Sequence, residues 1–174
     1  MSARTRDWLI AIAYVAFIFA TLGVVRPPIA YLRAHNCLRL TIAVLFFICS
    51  LQGLRILLRN YPRNIYRLSF FFVLLLIYYF VARTIRLPEE QLHFFEYGLV
   101  GILFLRALQH SKMPLPVLFL SAWTISSATG WCDELLQGIT PGRHYDIRDI
   151  GFNVVASGLG LIVYFICKKI KTHS

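Results

Sequence analysis

Residues 113–132 contain no charged side chain, and neither do residues 8–25 or residues 150–167. At about 1.5 Å per residue, a helix of 18–20 residues nearly matches the roughly 30 Å hydrocarbon layer of a bilayer. A soluble fold has no interior that could hide several such runs. The composition agrees, with 58% hydrophobic and 15% charged residues among 174 and a mean hydropathy of +0.65. The 18 Lys and Arg against 8 Asp and Glu give a net charge of +10. In a soluble chain that excess would point to nucleic acid. Here basic residues flank apolar runs, so the bilayer is the expected partner and nucleic acid is not.

Three more runs complete the set. Residues 38–58 are interrupted only near their ends by Arg39 and Arg55, whose stems can snorkel. Residues 68–82 lie between Arg67 and Arg83, with Tyr78 and Tyr79 suited to an aromatic belt. Residues 91–108 carry His93 and Glu96 within them. The pattern predicts an all-α polytopic membrane bundle of about six transmembrane helices. It divides into a three-helix region over 1–87, a second membrane region over 88–167 and a basic tail over 168–174. Pro27 and Pro28 are expected to end the first helix. Alternate assignment of the loops gives 11 Lys and Arg on one side and 7 on the other. By the positive-inside rule both termini are then cytoplasmic. The cysteines Cys37, Cys49, Cys132 and Cys167 show no metal-ligand spacing. Cys37 and Cys132 are expected to be buried thiols rather than a disulfide.

Seven of the eight acids lie in the second half of the chain. Parity brings the start of span four, the end of span five and the start of span six to one leaflet. Those ends carry the polar clusters. His93, Glu96 and Tyr97 share one helical face, Asp133 and Gln137 a second, and Asp149, Asn153 and Ser157 a third. Glu134 lies about 100° around from Asp133. Only one of the two is therefore expected to face inward, with Asp133 favoured by Gln137 on its face. Glu96 either pairs with Arg83, Arg86 or Arg143 or contacts a ligand. Asp149 suits a helix N-terminus without any further role. The Pro141-Gly142 turn presents Arg143 for a fork onto a carboxylate or phosphate, or for pairing with Asp133, Glu134 or Asp149. Small residues on spans five and six, among them Gly130, Ser157, Gly158 and Gly160, predict that these two helices pack closely.

The string DELLQGITPGRHYDIRDIGFNVVASGLG resembles the signature of the VanZ-like family, with an Asp-Glu-x-x-Gln element, a Pro-Gly-Arg turn, an Asp-x-x-x-Asn element and spaced glycines. HFFEYGLVGILFLRAL is similar to that family's earlier His-x-x-x-Tyr helix. The match spans about residues 88–165 and marks His93, Tyr97, Asp133, Glu134, Gln137, Arg143, Asp149, Asn153 and Gly158. The resemblance implies a multi-pass protein of the bacterial cytoplasmic membrane with a role in the cell envelope. It also implies a link to glycopeptide resistance of the teicoplanin type.

Three function classes follow from the residues. A binding protein would hold a lipid-linked or anionic envelope component through Arg143 and the acids. A membrane hydrolase or transferase would use His93 or Glu96 as base, with Asp133, Glu134 and Asp149 orienting it or holding a divalent cation. A transporter would use Glu96 as a proton carrier, although no inverted repeat is present. No HExxH or GxSxG string occurs.

Overall fold

A computed structural model describes residues 1–24, 26–85, 88–141 and 145–168, with the side chains of all of these but Arg26 and Glu89. Among the described residues every regular element is a helix: α1 (Ala3–Thr21), α2 (Arg26–Ala34), α3 (Leu38–Asn60), α4 (Ile65–Thr84), α5 (Pro88–Leu108), α6 (Leu115–Ile139) and α7 (Ile147–Cys167). Local sequence sets several boundaries. The Ser2 and Asn64 side chains accept from the backbone N–H of Thr5 and Arg67 and so cap α1 and α4. Pro114 and Pro116 open α6, where no N–H is needed. α1 stops at Thr21 and a short turn follows, so Pro27 and Pro28 do not end the first helix as expected but lie in the first turn of α2. Asn36, with φ of 56°, closes α2, since its short polar side chain tolerates the left-handed region.

Three helices, α3, α4 and α7, are long and apolar enough to cross a membrane by length and composition. That is fewer than the six expected. The others are diluted by polar groups: Arg4, Arg6 and Asp7 in α1; Glu90, His93, Glu96 and Arg106 in α5; and Ser, Thr, Trp and Gly together with Asp133 and Glu134 in α6.

The main core is built from α1, α5, α6 and α7 around Ala11, Phe94, Tyr97, Val100, Leu105, Ala122, Ala156 and Leu161. A second cluster, Leu57, Phe71, Leu74, Ile166 and Cys167, joins α3 and α4 to the end of α7. The outer faces of α3 and α4 leave Phe47, Ile48, Leu51, Phe72, Val73 and Leu76 exposed. Contacts between termini fix the helix directions. At one end Arg106 and His110 meet Asp7, Tyr164 meets Gln109, and Asn60 and Arg67 donate to the carbonyls of Cys167 and Ile166. The starts of α1 and α4 therefore lie with the ends of α3, α5 and α7.

The closest helix pair is α5 with α7. A Cβ on Gly160 would lie 2.1 Å from the Gly98 carbonyl oxygen, and one on Gly101 would lie 2.7 Å from that of Ser157. The expected α6–α7 approach also occurs at Gly130, where a Cβ would lie 2.8 Å from Asn153 Cβ. All four cysteines are free, and Cys37 and Cys132 are exposed rather than buried. Cys37 precedes α3, and Cys132 occupies the face of α6 opposite its buried row of Ser126, Gly130 and Asp133.

Candidate functional site

Opposite the Asp7 end, the start of α5, the end of α6 and the start of α7 converge. His93 Nδ1 lies 3.1 Å from Glu96 Oε2 on its own helix and 3.6 Å from Asp133 Oδ2 on α6. Gln137 donates from Nε2 to Asp133 Oδ2 at 3.1 Å and to Glu134 Oε1 at 3.0 Å. The backbone N–H of Asp146, at the N-cap of α7, donates to Glu134 Oε2 at 3.3 Å. Tyr97 is fully buried, and its ring lies near-parallel to that of His93, with centroids 6.4 Å apart. Its carbonyl accepts a 3.3 Å hydrogen bond from Ser157 Oγ on α7. A chain of contacts thus runs from α5 through α6 to α7.

Asp133 and Glu134 are both buried, which corrects the expectation that only one faces inward. The 100° between them is real, but α6 has a neighbour on each side. Asp133 turns toward His93 of α5, Glu134 turns toward the start of α7, and the Gln137 amide joins the two carboxylates. Glu96, with 36% of its side chain exposed, is matched with His93 rather than with Arg83. Arg143 lies outside the described residues, as does Arg86.

The cap of α7 belongs to Asp146, three residues before Asp149. Asp146 accepts from the Arg148 N–H at 2.9 Å, and both its oxygens accept from the Arg148 guanidinium. Those Arg148 hydrogen bonds hold the Asp146 carboxyl below its ordinary range. Asp149 stands in the first turn behind it. Asn153, one turn further on, is 1% exposed and packs against Gly130 and beside the Tyr97 ring. Neither its Oδ1 nor its Nδ2 makes a hydrogen bond, and Asp133 Oδ1 makes none either. Gly158 lies away from this cluster, against the Trp123 indole. Among the described residues no group of three His, Cys, Asp or Glu could hold a metal ion.

Two features lay outside the sequence reading. Asp7, only 5% exposed, receives 2.9 Å contacts from Arg106 Nη2 and His110 Nε2. It is the only acid in the first 88 residues, and that isolation was the available signal. The second is the Gly98-x-x-Gly101 pair of α5, whose spacing puts both glycines on the face that meets α7.

Compared with protein-family models, with curated proteins and with solved structures, the chain matches none of them.

Proposed function

We propose that this chain is a VanZ-like multi-pass protein of the bacterial cytoplasmic membrane, with six spans and both termini cytoplasmic. Its outward-facing polar site binds or positions a cell-envelope component. The observation that carries this reading is the pair Asp133 and Asn153, whose buried polar atoms find no partner where three helix ends meet. Burying such atoms unpaired costs about 1–3 kcal/mol each, a cost that folding alone gives no reason to keep. The six-span reading is supported by the alternation of helix directions. It is supported equally by the position of α5, which packs against α1, α3, α6 and α7. A helix shielded in this way need not be apolar all round. Expressing the chain in a susceptible bacterium and measuring survival under a teicoplanin-type glycopeptide tests the reading. Wild type should alter susceptibility, and Asn153→Ala at equal membrane abundance should abolish the effect. A wild-type phenotype from that variant would refute the site.

His93 between two carboxylates supports a second reading, a membrane hydrolase or transferase, since a carboxylate beside one ring nitrogen is how a histidine base is oriented. Turnover of an envelope precursor by purified protein, lost in His93→Gln, would favour it over binding alone.

A further inference from the structure

The atoms of the site restrict the ligand's chemistry. Asp133, at 0% exposure, and Asn153, at 1%, sit on facing helices where α6 and α7 approach at Gly130. Gly130 and Asp133 are one turn apart, about 4.5 Å along the axis, which sets Asn153 about one turn along α6 from Asp133. Asp133 Oδ1 and Asn153 Oδ1 offer two unused acceptors, and Asn153 Nδ2 offers an unused donor. The neighbouring donors are already committed, because Gln137 Nε2 serves both Asp133 and Glu134 and the Tyr97 hydroxyl donates to the Thr129 carbonyl at 3.5 Å. Charge narrows the choice further. Glu96 and Glu134 adjoin Asp133, with His93 as the described counterpart. Carboxylates at this density repel a phosphate or carboxylate aimed at the floor of the site, and a buried carboxylate gains most from a charged donor. The expected anionic ligand depended on Arg143, whereas the described floor favours the opposite charge.

Resting on the reading above, we infer that the site takes a primary ammonium carrying an oxygen acceptor two or three bonds away. The ammonium donates to Asp133 Oδ1 and Asn153 Oδ1, and the oxygen accepts from Asn153 Nδ2. A quaternary ammonium has no N–H to give and is excluded on that ground. Two sources present this group: an ethanolamine-type lipid headgroup entering from the outer leaflet, or a free amino alcohol or its phosphate ester.

The test uses the purified full chain in nanodiscs of phosphatidylethanolamine, phosphatidylcholine or phosphatidylglycerol, and in detergent with added phosphoethanolamine or phosphocholine. The readout is the thermal unfolding midpoint. Phosphatidylethanolamine should raise it by about 4 °C or more over phosphatidylcholine. Asp133→Asn and Asn153→Ala, each compared across the same lipids, should lose that difference. Phosphoethanolamine acting alone in detergent would identify the free compound as the source, and its failure beside a lipid effect would identify the headgroup. Because the lipid comparison is made within wild type, a poorly folded variant does not void it. Equal midpoints in phosphatidylethanolamine and phosphatidylcholine, or an equal difference in the variants, would overturn the ammonium assignment. If the susceptibility phenotype still required Asn153 in that case, the site would stand with another ligand. If the phenotype were also insensitive to Asn153, the functional reading would fail as well.

Discussion

Single side chains decide how much of the polar end is structural. Gln137 is the clearest case, since one amide nitrogen supplies hydrogen bonds to two buried carboxylates. Gln137→Met keeps the volume and removes the donor, so two buried acceptors lose a partner. The expected cost is about 1–3 kcal/mol of stability, read as a lower unfolding midpoint in detergent; an unchanged midpoint would mean that solvent already serves those oxygens. Asp146 separates charge from capping. Its carboxyl is held low by the Arg148 hydrogen bonds, so its contribution is present above the ordinary value of 3.8 and is lost as pH falls through the lower folded value. Asp146→Asn keeps an oxygen for the cap and loses this titration. The stability gap between wild type and Asp146→Asn should therefore begin to narrow as pH falls below about 4, while Asp146→Ala should cost roughly 0.5–2 kcal/mol at neutral pH. A gap that does not narrow at all as pH falls below the ordinary value would refute the ion-pair assignment. At this scale the sequence was informative for His93, Glu96, Asp133 and Gln137, because residues three or four apart on one helix must share a face. It misjudged Glu134, because which neighbour stands on each side of α6 is a tertiary fact.

Between elements, contact distance rather than hydropathy governs the design. The α5–α7 crossing brings the Gly160 Cα against the Gly98 backbone, so Gly160→Ala places a methyl 2.1 Å from a carbonyl oxygen that cannot move without its helix. Overpacking of this kind costs about 1–3 kcal/mol or more. Gly151, on the same helix, has nothing within 4 Å of its added Cβ. Gly151→Ala should instead gain about 0.5–1 kcal/mol from backbone entropy. Opposite signs for two Gly→Ala changes on one helix, measured by thermal unfolding in one detergent, are the expected outcome; two equal losses would contradict the packing. The sequence disclosed small residues on the last two helices, but it could not rank α5 over α6 as the tighter partner of α7. That ranking follows from three dimensions, in which Gly98 and Gly101 oppose Ser157 and Gly160. The Asp7, Arg106 and His110 cluster is of the same kind, because it ties α1 to the end of α5 across about one hundred residues of chain.

For the molecule as a whole, all-helical architecture was legible in the lengths of the uncharged runs, and α2 was not, because nine residues carrying Arg26 and Arg33 leave no apolar run to find. The number of spans is where composition and packing diverge. By hydropathy α3, α4 and α7 qualify, yet α3 and α4 flank a centre made of the more polar α1, α5 and α6 together with α7. If the apolar α3 and α4 spanned the bilayer while α1, α5 and α6 did not, the core residues Phe94, Tyr97 and Leu105 would have to leave their neighbours. The proposed six spans would keep that core intact and would put Arg59, Arg63, Arg67 and Lys168 on one side with both termini. Single cysteines at Ser2, His144 and Ser174, in a chain with Cys37, Cys49, Cys132 and Cys167 replaced, read the topology directly with an impermeant thiol reagent. In intact cells the position 144 cysteine should label and the other two should not, and all three should label once the membrane is opened. Labelling at position 144 only after opening would invert the protein and turn the Asp133 and Asn153 site to the cytoplasm. Opposite behaviour of the two termini would require an odd number of spans and would break the antiparallel order that brings α5, α6 and α7 together.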